Sequence, residues 1–126
     1  MAEVGKPVTR HDTERRLVRF TVRVVRLARK LNETAEGRII AKQVLRSASS
    51  IGANHREAGR ASSRRQFISM LEIAQREAAE TAYWLEVIAE ASLVTAAALQ
   101  PLRDEAEELL AILTSSIRTV KQNPPP

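Results

Sequence analysis

Between Thr13 and Gln100 apolar residues recur every three or four positions, with few glycines or prolines to interrupt them. That spacing marks one face of an α-helix, and its persistence along the chain predicts an all-α protein. A first helix is expected to begin near Asp12 or Thr13, either of which can cap it, and to run to about Leu31. Its apolar stripe is Leu17, Phe20, Val24, Leu27 and Leu31. Asn32 to Gly37 reads as a connection, and a second helix follows from about Arg38 to Gly59, with Ile40, Val44, Ala48, Ile51 and His55 along one stripe. Ser62 or Ser63 caps a third, whose stripe of Phe67, Leu71, Ala74, Ala78, Thr81, Leu85 and Ile88 is the longest regular run. Ala91 to Thr95 breaks the pattern. Thr95 can cap a fourth helix with a seam of Leu99, Leu102, Ala106, Leu109 or Leu110, Leu113, Ile117 and Val120. Pro101 argues for a start nearer Leu99 or Gln100, because proline lacks the N–H that a helix interior uses.

Four helices with short connections predict antiparallel neighbours in an up-down-up-down four-helix bundle. The bundle domain is expected over residues 13–122, between a disordered N-terminal segment, 1–12, and a disordered proline-rich tail, 123–126. A chain of 126 residues can bury one such core without disulfide or metal staples. Cysteine is absent, which excludes a disulfide framework, zinc thiolates and a thiol nucleophile. The stretch Met1 to Asp12 lacks the apolar centre of a signal peptide, and no run approaches the roughly 18 apolar residues of a membrane span. A cytoplasmic protein with no membrane partner is the expectation.

Charge divides the chain. The net value is +5, yet residues 1–65 hold 16 Lys and Arg against 6 Asp and Glu, while residues 66–126 hold 4 against 9. Either basic helices pack beside acidic ones, or a basic face is kept for a partner. On the first helix Arg15, Arg16, Arg19, Arg23, Arg26 and Lys30 fall within one arc of about 100°, apart from the apolar stripe. Six cations on one face repel each other unless anions neutralise them, so the ridge implies a polyanion such as RNA or DNA, or acidic side chains from a neighbour. Val18, Val22 and Val25 form a second apolar edge, which fits either contact with another subunit or a wide core-facing stripe.

Candidate chemistry is sparse. Glu77 and Glu80 stand three apart on the third helix, beside Tyr83 and Trp84, but no His follows any Glu by three, as a di-iron bundle would need. A salt bridge from Glu77 or Glu80 to Arg56 or Arg60 across the helix contact is the expected use, because the turn after Gly59 joins those helix ends. Ser50, His55 and Glu57 do not make a hydrolase: Ser50 and His55 are five apart on one helix, on different azimuths, and no oxyanion or phosphate-binding glycine loop is present. The chain predicts no enzyme, no metal and no cofactor.

From Ser47 to Arg60 small residues give way to Asn54, Arg56, Glu57 and Arg60, a close-packing surface followed by a polar cluster. Around it lies a specific pattern: Gln43-x-x-Arg46-Ser47-Ala48-x-Ser50-Ile51-Gly52-Ala53-Asn54-x-x-Glu57, then Ser63-x-x-x-Phe67-Ile68, then Glu77-Ala78-x-Glu80-Thr81-x-Tyr83-Trp84-Leu85. The pattern resembles the bacterial four-helix bundle proteins first noted as reading frames inside 23S rRNA intervening sequences, with departures at His55-Arg56 and at Ala58. Its diagnostic part covers the middle third of the chain.

The resemblance implies a left-handed bundle that assembles as a homopentamer and has no known enzymatic activity. A more distant likeness, to the accessory proteins of diversity-generating retroelements, implies a basic pentameric bundle serving a reverse transcriptase. Arg46, Asn54, Glu57, Glu80 and Trp84 match the family pattern, and with Arg56, Arg60 and Glu77 they are expected to form an inter-helix polar lock. The combined expectation is a non-enzymatic homo-oligomer whose first-helix cations contact nucleic acid. The alternative is a scaffold or reverse-transcriptase accessory subunit that docks an acidic protein.

Overall fold

The computed structural model describes residues 9–123. They form four helices, α1 (Arg10–Leu31), α2 (Ala35–Ala58), α3 (Arg64–Glu90) and α4 (Ala96–Gln122), and no strand. The predicted disorder of residues 1–8 and 124–126 falls outside the described part.

Side-chain caps set each start. Thr9, rather than Asp12 or Thr13, caps α1: the Asp12 N–H donates to Thr9 Oγ1 at 3.0 Å and the Thr9 N–H donates to Asp12 Oδ2 at 3.1 Å, a reciprocal capping box. Residues 10–12 are therefore helical, and α1 begins earlier than the apolar stripe implied. The same correction applies to α2, which Thr34 caps, so that Gly37 lies inside the first turn and not in the connection. A Cβ at Gly37 would stand 2.0 Å from the Leu31 carbonyl oxygen, so only glycine lets this turn sit on the end of α1. Ser63 caps α3 and Thr95 caps α4, and Pro101 is inside α4. A later start is unnecessary because Pro101 and Ala97 are both exposed, and the carbonyl left without its donor lies on the solvent side.

Every helix gives one stripe to a common apolar core. Phe20 and Val24 of α1, Val44 and Ile51 of α2, Leu85 and Ile88 of α3, and Leu109 and Leu113 of α4 are all essentially inaccessible to solvent. Burial of each large side chain contributes about 1.5–3 kcal/mol. Successive helices pack side by side, α2 against α3 most extensively, while α1 and α4 meet least. The α2 and α3 stripes are rich in small buried residues, Ser47 and Ala48 on one, Ala74, Ala78 and Thr81 on the other. The Thr81 hydroxyl lies 2.8 Å from both Ser47 Oγ and the Glu77 carbonyl, and Ser47 Oγ donates to the Val44 carbonyl at 3.2 Å. This buried polar link fixes the register of α2 against α3.

Candidate nucleic-acid interface

The basic ridge of α1 divides along its length into paired and unpaired cations. Arg16 faces α4, where its Nε and Nη2 donate to the two oxygens of Glu105, each at 2.7 Å, and Nη2 also meets Glu108. The fork-on-carboxylate geometry is the strong form of an ion pair, and both groups are well covered, with side-chain exposures of 31% and 17%. The Arg16 guanidinium holds Glu105 below its ordinary carboxylate pKa, and Arg16 is itself raised, first by the hydrogen bond to Glu105. Arg23, half-buried, adds its field at Glu105. Lys30 lies 3.5 Å from Glu33 on the exposed end of α1, a pair worth little.

Arg15, Arg19 and Arg26 project outward, and among the described residues none has a carboxylate within 4 Å. Arg29, outside the arc of the ridge, is exposed too. Arg16 is thus corrected from a phosphate contact to an intramolecular bridge, because Glu105 and Glu108, three apart on α4, present both carboxylates to it.

The expected polar lock is also rearranged. Arg46, not Arg56 or Arg60, joins α2 to the acidic pair of α3: its Nη1 donates to Glu77 at 2.9 Å, and its Nη2 meets Glu80. Trp84 Nε1 donates to the same Glu80 oxygen at 3.1 Å, and the Arg46 hydrogen bond, followed by that of Trp84, lowers the Glu80 pKa. Register explains the exchange. With Ser47 opposite Thr81, Arg46 lies level with Glu77 and Glu80, whereas Arg56 is ten residues, about 15 Å, further along. Arg60 instead reaches Glu57 at 3.6 Å on the surface, and Asn54 Nδ2 donates within its own helix to the Ser50 carbonyl at 2.9 Å and to Ser50 Oγ at 3.0 Å.

Val18 and Val22 are 48% and 42% exposed, so they do not belong to a widened core stripe. With Val25 and the small residues Ser49, Gly52 and Ala53 of α2 they line an apolar groove of about 250 Å³. Gly52 is not needed for close packing, since a Cβ there would meet Leu17 at an ordinary 3.6 Å. Among the described residues no helix is long and apolar enough to cross a membrane, and no group of three His, Asp or Glu stands close enough to hold a metal ion.

No curated protein matches the chain. Among solved structures it is similar to a protein of unknown function from the S23 ribosomal protein family of Bacteroides thetaiotaomicron VPI-5482, at 38% identity and a TM-score of 0.79, over 83% of this chain and 97% of that one. The family model for the 23S rRNA-intervening sequence protein matches residues 12–115, which include the Arg46, Glu77 and Glu80 cluster, the Ser47 and Thr81 link and the whole basic ridge. The chain belongs to the 23S rRNA-intervening sequence protein family.

Proposed function

We propose that this protein is a non-enzymatic, cytoplasmic homo-oligomer that binds RNA or other nucleic acid through the phosphate backbone, using the outward face of α1. The observation that carries the reading is the row Arg15, Arg19 and Arg26, exposed and with no carboxylate within 4 Å among the described residues, Arg15 alone sharing its field with a nearby acid, Asp12. Uncompensated like charges along one helix are stabilised by a polyanion, with release of its condensed counterions. Aromatic residues for base stacking are nearly lacking on this face, so recognition is of backbone and not of sequence.

The four helices are read as a left-handed antiparallel bundle. The order of contacts supports antiparallel neighbours: Gly52 adjoins Leu17 while Gly59 adjoins Arg10, and Gln75 bonds Thr114 while Arg64 bonds the Val120 carbonyl. The groove of Val18, Val22 and Val25 is the proposed self-contact, and five subunits follow the family pattern. Repetition of weak phosphate contacts around such a ring multiplies into useful avidity.

Light scattering of the pure protein tests the assembly, with about five chain masses expected and a monomer contradicting it. Fluorescence anisotropy with an unstructured RNA tests the interface. Replacement of Arg15, Arg19 and Arg26 by Ala should abolish binding at low salt for every RNA sequence alike. Unchanged binding by that variant would remove the reading, and a partner retained after nuclease treatment would favour an acidic protein.

A further inference from the structure

At the end of the molecule where α1 begins, the four helices border a half-open cavity of about 490 Å³. That volume is within the range of small-molecule sites. Its apolar wall is Phe67 and Leu71 of α3 with Ala111 and Ile112 of α4. Its polar lining consists of Arg10, His55 and the hydroxyls of Thr9, Thr13, Ser115 and Ser116, and among the described residues no carboxylate lines it. His55 is only 7% exposed, and its Nδ1, shut off from solvent, has no hydrogen-bond partner among the described residues. Nδ1 is therefore out of reach of anything in the cavity, and a ligand there meets only the small accessible remainder of the His55 ring.

The lining also selects what can enter. One guanidinium at the lip, one imidazole within and the positive end of α1 beside them favour an anionic head, and a single arginine fork suits a planar carboxylate. The opposite wall suits an apolar body. We propose that this cavity is a binding site for a small amphipathic carboxylate, its head on Arg10 and His55 and its body on Phe67, Leu71 and Ile112.

Burial, the largest effect, holds the His55 pKa below the ordinary histidine value, with Glu14 acting against that shift and Arg10 in the same sense. A carboxylate against the ring opposes that burial, so ligand binding and His55 protonation should favour each other.

The test is a histidine-ring NMR titration of the full chain with 2-naphthoate, with 2-naphthol as the uncharged comparison. His11, the other histidine, is exposed and serves as the internal reference. The expected result is a saturable shift of the His55 ring signals with naphthoate, His11 unmoved, and a rise of the His55 titration midpoint. Arg10→Gln should weaken naphthoate at least tenfold and leave naphthol unchanged. The proposal is overturned if millimolar naphthoate leaves His55 unmoved, if both histidines shift alike, or if Arg10→Gln binds naphthoate as the wild type does.

Discussion

Along the α2/α3 seam alanines fill the space between the backbones and Ser47 meets Thr81 out of reach of water, while along the α1/α4 seam the helices approach least and Arg16 reaches across to Glu105 and Glu108. The first seam is held by burial and shape. The second is held by charge, and the same difference decides what the cations of α1 can do. Arg16 is occupied by its own molecule, whereas Arg19, one turn on, has no acidic partner among the described residues. A residue's place in a basic ridge is therefore a poor guide to its availability. The acidic residues on the next helix must be read with it.

The largest effect should come from opening the buried seam. Leu85→Ala removes a fully buried side chain, and urea denaturation should show a loss of about 2–5 kcal/mol, because the helices cannot fully collapse into the space. Arg16→Ala should cost less, about 1–2 kcal/mol at neutral pH, since the pair is partly solvated. Its cost should also fade in acid. Glu105 is depressed below its ordinary 4.5, so its contribution is complete above that pH and is lost as pH falls through the lower folded-state value. Denaturation of wild type and Arg16→Ala from pH 7 to pH 3 should therefore converge, and a constant gap would mean that packing of the arginine stem, not its charge, holds the seam.

Smaller still is Thr81→Val, which keeps the shape and deletes one hydroxyl; about 1 kcal/mol should be lost in thermal or urea unfolding. The smallest change should be a gain. Gly52→Ala adds a Cβ where there is ordinary room and lowers the entropy of the unfolded chain, so about 0.5–1 kcal/mol of added stability is expected, provided that the groove beside it is not tightly filled by another subunit. A large loss in the oligomer, with none in a dissociated form, would locate the self-contact at this groove.

The helices were legible because their apolar stripes are regular, and the stripe from Leu71 through Ala74, Ala78, Thr81 and Leu85 to Ile88 is buried as its spacing implied, while Phe67 at its head is only half-buried. The helix starts were less so. Thr9-x-x-Asp12 is a capping-box pattern that lies before the first residue of the apolar stripe, and Gly37 has the character of a turn glycine but stands in the first turn of α2, close against the Leu31 carbonyl. The polar site was legible in composition and not in pairing. Arg46, Glu77 and Glu80 were all in view, but the partner of the acidic pair depends on the axial register of α2 and α3, which the buried Ser47 and Thr81 contact sets and a face-by-face reading does not contain. The pairing of Arg16 is hidden for a similar reason: a helical wheel of α1 holds no information about which helix stands beside it.

The division of the ridge is tested most directly by the salt dependence of RNA binding, measured as the slope of log affinity against log salt for wild type, Arg16→Ala and Arg19→Ala. Each phosphate contact on a single strand contributes about 0.7 to that slope. The expected result is a slope lowered by at least about 0.7 in Arg19→Ala and unchanged in Arg16→Ala. Equal slopes for all three proteins, an equal loss in both variants, or no binding by the wild type at low salt would contradict the assignment of the outward face of α1 to nucleic acid.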